Sequence, residues 1–132
     1  MSSGPSDPIV LDASAILAVI QDEAGTDALR SLETVPLVSA INLVEVHAVM
    51  ARAGVTSDVI RATLARLRLE VLPFAPTLVE GAAEIHARGR KRGLSLGDAA
   101  CLATARAIGG EAWTADSAWR GLDVGVRIRL IR

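Results

Sequence analysis

The chain has few aromatic residues and almost no cysteine. Its only aromatic side chains are Phe74, Trp113 and Trp119, too few for the stacking platforms on which single-strand binders hold bases. The core must therefore be built from Ala, Val, Leu and Ile. The one cysteine, Cys101, excludes an internal disulfide, and with only two histidines the chain has no Cys/His cluster typical of a zinc site.

Long hydrophobic runs are also missing. No stretch approaches the ~20 apolar residues that a membrane helix needs, and no signal-peptide pattern opens the sequence. We therefore expect a soluble, cytoplasmic protein with no membrane partner. Residues Met1–Pro8 are rich in Ser, Gly and Pro and are expected to form a flexible tail, followed by one domain over residues 9–132.

Net positive charge is lacking as well. The formal net charge is −1, so no overall field attracts nucleic acid. Arg and Lys are nevertheless concentrated in one local run, residues 88–92. An isolated run of this kind is most often a solvated helix end. As a functional feature, it supplies four candidates for phosphate contact: Arg88, Arg90, Lys91 and Arg92.

The apolar pattern alternates between short runs and longer segments of helical period. It predicts strands at residues 8–12, 35–40, 69–74, 111–116 and 126–132, and helices at 14–25, 26–33, 41–54, 56–68, 75–93 and 95–107. Alternating strands and helices predict an α/β fold with a mainly parallel sheet of about five strands and helices on both faces. The last strand carries alternating Arg and is expected at an edge.

Three aspartates are predicted at the sheet edge where such folds place their sites. Asp12 ends the first strand, Asp116 ends the fourth, and Asp98 starts the helix within "SLGDAACLATARA". The carboxyl ends of parallel strands and the starts of the following helices share one edge. Each aspartate also has a purely structural interpretation as a helix cap. The two roles are compatible.

Glu45 is harder to explain as a structural residue. It lies in the middle of a helix, "INLVEVHAVM", whose other residues are apolar on nearly all sides. That pattern predicts a buried helix. A buried carboxylate must be paired, bound to a cation or neutralised by a raised pKa. The only basic residue nearby, Arg52, is seven positions away and cannot reach it easily.

These four acids, if they meet, need a counter-charge because like charges repel strongly at short range. Oxygen ligands without His or Cys suit Mg²⁺ or Mn²⁺. A divalent cation held by carboxylates can activate water and neutralise charge on a phosphodiester under attack. The sequence therefore predicts a metal-dependent hydrolase acting on phosphodiesters.

The segments that carry the acids resemble the four acidic motifs of PIN-domain ribonucleases, and most closely those of VapC-type toxins. These segments are "VLDASAILAVIQDEAG", "NLVEV", "LSLGDAACLATA" and "TADSAW". The likeness extends from about Ile9 to the C-terminus. It implies a three-layer α/β/α PIN-like fold and endonucleolytic cleavage of RNA that leaves a 5′-phosphate and a 3′-hydroxyl.

The resemblance assigns a role to each acid. Asp12 and Asp98 would be the main Mg²⁺ ligands, and Asp116 would complete the metal site directly or through water. Glu45 would bind a metal or orient the attacking water. Ser14 and Thr114 stand where the family often has supporting hydroxyls, although an N-cap and a strand hydroxyl are equally good interpretations.

The resemblance also implies partners. VapC-like proteins usually form homodimers, and a small VapB-like antitoxin covers the acidic site, often with an arginine. The alternative is a PIN-like module that binds RNA or protein without cutting. Other α/β classes fit less well: a haloacid-dehalogenase phosphatase needs a second Asp where Ser14 stands, and the phosphate-binding P-loop motif is absent.

Overall fold

The computed structural model describes residues 7–22 and 27–132. Within them, strands lie at Ile9–Leu11 (β1), Leu37–Ser39 (β2), Glu70–Leu72 (β3), Glu111–Thr114 (β4) and Arg127–Leu130 (β5). The α-helices are Ala13–Ile20 (α1), Asp27–Arg30 (α2), Ala40–Arg52 (α3), Ser57–Ala65 (α4), Val79–Arg88 (α5) and Leu96–Ala107 (α6). Short 3₁₀ turns lie at Pro76–Leu78, Arg90–Arg92 and Ser117–Trp119.

The strands form one parallel sheet in the order β3-β2-β1-β4-β5. The chain builds outward from β1 on one side through β2 and β3, and then returns to the other side with β4. The strand order therefore reverses between β1 and β4, where the carboxyl ends of parallel strands leave a crevice. The predicted parallel α/β sheet is confirmed, as is the edge position of the Arg-rich last strand.

The two faces of the sheet are both covered, as a parallel sheet requires. Successive side chains of a strand point to opposite faces. Ile9 and Leu11 lie in one apolar cluster with residues of α1, α3 and α4, whereas Val10 lies in a second with residues of α5 and α6. The result is the predicted three-layer arrangement, with β1 buried at its centre.

Several predicted helices have different ends in the structure. Those predicted over 26–33 and 56–68 are shorter, Asp27–Arg30 and Ser57–Ala65. The helix predicted to start at Ser14 begins at Ala13, because Asp12 is the residue that caps it, and it ends at Ile20; its predicted end near Gly25 lies outside the described residues. The helix predicted over 75–93 is interrupted after Arg88. Gly89 lies at the break and allows the close approach of Leu94, since a Cβ there would lie 2.7 Å from the Cβ of Leu94.

The prediction that the helix around Glu45 is buried on nearly all sides is wrong. Helix α3 packs against α1, α4 and α6, and Val46 and Met50 are buried on that side. Its remaining side faces solvent, where Val44 is 66% exposed and Ile41 38%. An apolar sequence alone does not reveal which flank of a helix lacks a neighbour.

The start of the described chain contacts the sheet. Asp7 forms an ion pair with Arg127 at 2.7 Å, and the Pro8 carbonyl accepts a hydrogen bond from the backbone N–H of Glu111 at 2.9 Å. The rest of the tail predicted over Met1–Pro8 lies outside the described residues.

Among the helices that the structure describes, none is both long enough and apolar enough to span a membrane.

Candidate active site

Asp12 lies at the centre of the sheet edge predicted to hold the site. It follows β1 directly, is 2% exposed, and caps α1 through a 2.8 Å hydrogen bond from the backbone N–H of Ala15. The Ser14 hydroxyl lies 2.8 and 2.9 Å from the two Asp12 oxygens. The Thr114 hydroxyl donates to Asp12 Oδ2 at 2.5 Å. The carboxylate is therefore held in place from two sides, by the first turn of α1 and by the end of β4.

The environment of Asp12 opposes its charge. Burial raises the pKa of Asp12 from 3.8 to about 6, and the negative charge of Asp98 adds to the rise. Hydrogen bonds from Thr114, Ala15 and Ser14 act in the opposite direction. A cation at this edge would offset the cost of desolvation and hold the carboxylate ionised.

Asp98 is part of the helix cap that its sequence position predicts. The Ser95 hydroxyl accepts from the Asp98 N–H at 3.0 Å, and Asp98 Oδ2 accepts from the Ser95 N–H at 2.9 Å. This reciprocal pair is a capping box. Among the described contacts, Oδ1 of Asp98 has no hydrogen bond, so one carboxylate oxygen is left for a ligand.

Glu45 lies against the start of α6. A Cβ built on Gly97 would be only 2.0 Å from Glu45 Oε1, so the carboxylate fits there because residue 97 has no side chain. The Asn42 amide donates to Glu45 Oε1 and to the Gly97 carbonyl, both at 3.0 Å. Burial raises the pKa of Glu45, the Asp98 charge raises it further, and the Asn42 hydrogen bond lowers it.

The sequence analysis missed Asn42. The residue is 0% exposed, and it lies one helical turn before Glu45 on the same face of α3. A polar residue three positions before a buried acid, within an otherwise apolar helix, is the signal that could have revealed it, because such pairs are neighbours on a helix surface.

Asp116 is exposed and joins the site through its neighbours. Its Oδ1 accepts from the Ala118 N–H at 2.9 Å and caps the 3₁₀ turn that follows β4. Its own N–H donates to the Thr114 hydroxyl at 3.0 Å, and that hydroxyl also contacts Asp12. Ser14 Oγ accepts from the Ala115 N–H at 2.9 Å. The two hydroxyls thus connect the ends of β1 and β4, and Ser14 is not the N-cap of α1.

The charge of Asp98 raises the pKa of both Asp12 and Glu45, which connects these three acids electrostatically. Beneath them, burial raises the pKa of the Cys101 thiol well above its usual range, and the charges of Asp12, Asp98 and Glu45 raise it further. Cys101 is fully buried and is therefore an inert part of the core. Within residues 7–22 and 27–132, no three Asp, Glu, His or Cys side chains are close enough together to enclose a metal ion.

The basic run divides into two parts. Arg92 holds the loop after β4, with guanidinium N–H groups 2.6 Å from the Arg120 carbonyl and 3.3 Å from that of Gly121. Arg88 lies 4.0 Å from Glu84 on the same helix. Arg90 and Lys91 are exposed on the 3₁₀ turn that leads into α6. Of the four phosphate-binding candidates, Arg92 is thus already engaged with backbone carbonyls.

Comparison with known proteins identifies the family. The model described as "PIN domain" matches residues 9–124. This chain belongs to the PIN domain family. PIN domains are nucleases, and in this PIN domain Asp12 and Asp116 follow β1 and β4, the strands between which the strand order reverses. No curated protein sequence matches the chain.

Solved structures share this PIN fold over nearly their whole length. VapC20 of Mycobacterium tuberculosis, a toxin that cleaves the sarcin–ricin loop, is 25% identical with a TM-score of 0.69, covering 90% of this chain and 98% of its own. A toxin–antitoxin complex from Klebsiella pneumoniae is 17% identical with a TM-score of 0.72, covering 94% and 98%. VapBC2 from Rickettsia felis, bound to promoter DNA, is 16% identical with a TM-score of 0.71, covering 91% and 96%.

Proposed function

We propose that this PIN domain is a metal-dependent endoribonuclease and the VapC-type toxin of a toxin–antitoxin pair. Family membership and the likeness to VapC20 and to toxin–antitoxin complexes support this function. The observation that carries the proposal is the buried Asp12 carboxylate at the centre of the sheet edge. It is fixed by Ser14 and Thr114 and lies within electrostatic range of Asp98.

We assign the site roles as follows. Asp12 and Asp98 are the main ligands of Mg²⁺, for which Mn²⁺ can substitute. Asp116 completes the site directly or through water, and Glu45 binds the metal or orients the attacking water. Ser14 and Thr114 keep the Asp12 carboxylate in place, because their hydroxyls contact both of its oxygens.

The donor set fits a hydrated magnesium ion. All four candidates offer carboxylate oxygens, and Mg²⁺ commonly binds through one or two carboxylates while keeping several waters. Three oxygens lack a hydrogen bond among the described contacts: Glu45 Oε2, Asp98 Oδ1 and Asp116 Oδ2. When bound, the metal would lower the pKa of a water and neutralise charge on the scissile phosphate.

The protein's own residues would position the RNA and the water. Arg90 and Lys91 precede α6 and can attract the phosphate backbone toward the acidic edge, with Arg88 as the third cation. Glu45, fixed against α6, can accept a proton from water or hold it in line for attack. Cleavage would leave a 5′-phosphate and a 3′-hydroxyl.

Exposed apolar residues beside the site support the proposed protein partners. Val44 is 66% exposed and Leu96 is 72% exposed. Val44 immediately precedes Glu45 in the sequence, and Leu96 immediately precedes Gly97, against which the Glu45 carboxylate lies. Such side chains suit a VapB-like antitoxin that covers the acids, or a second copy of the chain. Sequencing beside the gene and co-expression with any short reading frame found there test the antitoxin: a stable complex that blocks cleavage is expected. Light scattering on the isolated chain tests the homodimer.

Cleavage of mixed RNAs, including tRNA, ribosomal loops and mRNA, tests the activity. Wild type should cut at least one RNA with Mg²⁺ and none with EDTA, and Asp98→Asn should be inactive at unchanged stability because Asn can still accept the Ser95 N–H. Asp58→Asn is the matched control, since that acid is exposed on α4. Cleavage that survives EDTA or Asp98→Asn contradicts the metal mechanism. RNA binding without any cleavage favours a catalytically silent module.

A further inference from the structure

The hydrogen bonds of Asn42 connect it to a candidate site residue, Glu45, and to the backbone of α6. Its side-chain nitrogen donates to Glu45 Oε1 and to the Gly97 carbonyl, each at 3.0 Å. Both partners can only accept, so the NH₂ group must face them and the amide orientation is fixed. One side chain thereby joins Glu45 on α3 to the backbone of α6, the helix that carries Asp98.

The side-chain oxygen of Asn42 indicates the role of this residue. Asn42 Oδ1 is buried and has no hydrogen-bond partner in the described structure. A buried unsatisfied acceptor lowers stability, and an apolar side chain of the same shape would avoid that cost. Stability alone therefore does not account for asparagine here. The NH₂ contacts do, because Leu at this position would leave Glu45 Oε1 without a donor.

Gly97 completes the arrangement. Any side chain at residue 97 would overlap Glu45 Oε1, at 2.0 Å from the added Cβ. The carboxylate therefore occupies space that this glycine leaves open beside the first turn of α6. The positive end of the helix dipole favours negative charge there. Asn42 from one side and the α6 backbone from the other restrict Glu45 to one position.

We propose that Asn42 is a positioning residue, which holds the Glu45 carboxylate against the start of α6 so that Glu45 and Asp98 together face a divalent cation. The inference rests on the proposed function, since it gives Glu45 a task at the metal site. Asn42 itself contacts neither metal nor RNA. Its effect passes through Glu45, so it must disappear when Glu45 can no longer bind a cation.

Calorimetric titration of the intact purified protein with Mn²⁺ tests this directly. Asn42→Leu, which keeps the branching of the side chain but cannot donate, should weaken Mn²⁺ binding about tenfold or more, the usual effect of losing a partner that orients a ligand. Asn42→Asp should weaken it further, because an oxygen would then face Glu45 Oε1. In a Glu45→Gln background, Asn42→Leu should have no additional effect.

Two further variants separate positioning from general loss of structure. Val46→Ala removes a fully buried α3 side chain that faces the core and should lower the unfolding midpoint while leaving Mn²⁺ affinity unchanged. Gly97→Ala should weaken Mn²⁺ binding without lowering stability, because Ala favours a helix over Gly while its Cβ displaces Glu45. This second route applies even if the Asn42 variants fail to fold.

Each outcome decides the matter. Wild-type Mn²⁺ affinity in Asn42→Leu or in Gly97→Ala overturns the proposal, as does an equal loss in Val46→Ala or an undiminished effect in the Glu45→Gln background. A wild-type protein that binds no Mn²⁺ overturns it together with the metal mechanism. If Mn²⁺ binding depends on Asn42 but no RNA is cleaved, the positioning role is supported. Only the proposed ribonuclease activity is then contradicted.

Discussion

At the scale of single residues, Asp12 shows how a folded protein can bury a carboxylate although burial disfavours its charged form. The side chain is almost fully buried, and three groups that can donate hydrogen bonds surround it: the hydroxyls of Ser14 and Thr114 and the N–H of Ala15. These contacts offset only part of the desolvation, since the pKa remains raised to about 6. A bound cation would offset the remaining cost of desolvating the Asp12 carboxylate.

The first prediction concerns the pH dependence of stability without metal. The folded-state pKa of Asp12 lies above the unfolded value, so Asp12 stabilises the fold fully below pH 3.8 and loses that contribution as the pH rises through about 6. The loss should reach about 3 kcal/mol by pH 7.5. Urea unfolding in EDTA from pH 4 to 7.5 measures it. Asp12→Asn should abolish most of this change, and an identical pH profile in that variant would show that Asp12 is not its source.

The second prediction isolates the Thr114 hydroxyl. Thr114→Val keeps the shape but removes a donor to the buried Asp12 carboxylate, so the free energy of unfolding should fall by about 1.5–3 kcal/mol at pH 7. Thr104→Val is the matched control. Thr104 is equally buried, but its hydroxyl donates only to the neutral Ala100 carbonyl at 2.8 Å. Equal losses in the two variants would contradict a special role for the hydroxyl at Asp12.

At the scale of elements, each of the three aspartates takes part in capping a helix or a 3₁₀ turn. Asp12 caps α1, Asp98 belongs to the capping box of α6, and Asp116 caps a 3₁₀ turn. The structural interpretation and the functional one are compatible, because capping does not use every lone pair of a carboxylate. A helix start is also where the dipole favours negative charge, so these positions help to keep the carboxylates ionised.

The third prediction compares two helix caps. Ser95→Ala should lower the free energy of unfolding by about 1 kcal/mol, because the hydroxyl accepts from the Asp98 N–H at the start of α6. Thr56 caps α4 without a side-chain hydrogen bond, so Thr56→Ala should cost less. Thermal unfolding of both variants gives the comparison. A larger loss from Thr56→Ala would contradict the capping geometry described for α6.

At the scale of the whole molecule, charge is distributed unevenly around a nearly neutral chain. Asp12 and Asp116 follow β1 and β4 at the carboxyl edge of the sheet, while the exposed cations Arg88, Arg90 and Lys91 lie on the segment leading into α6. A chain with net charge −1 has no long-range attraction for RNA. For the proposed ribonuclease, we therefore expect RNA binding to depend on a few local phosphate contacts.

The fourth prediction follows from that distribution. Replacing Arg88, Arg90 and Lys91 together by Ala should raise KM for the cleaved RNA about tenfold with little change in kcat, and should reduce the salt dependence of binding by a slope of about 2. Steady-state kinetics at several salt concentrations measure both. Arg92→Ala should instead lower stability, since its guanidinium holds the loop after β4.

A variant with the same loss of charge elsewhere is the control for the fourth prediction. Arg52, Arg66 and Arg68 are exposed and lie outside the basic run, so their joint replacement by Ala removes three positive charges from other surfaces. KM should then change little. If both triple variants raise KM equally, RNA binding follows total charge and the basic run has no specific part in it.

The sequence determined the elements, their order and the residues worth testing. Alternation of apolar runs predicted the parallel α/β sheet, because a strand buried on both faces must be continuously apolar. It also placed Asp12, Asp98 and Asp116 at element ends, where local capping chemistry is readable from neighbours in the chain. Glu45 stood out because a carboxylate is costly within an apolar helix.

Only the tertiary structure decided what surrounds those residues. The Thr114 hydroxyl reaches Asp12 across 102 positions of sequence, and Asn42 reaches Gly97 across 55. Such contacts follow from strand order and helix packing, which join distant segments through summed burial that no local pattern records. For the same reason, the open flank of α3, the break after Arg88 and the engagement of Arg92 with backbone carbonyls became visible only once the layers were assembled.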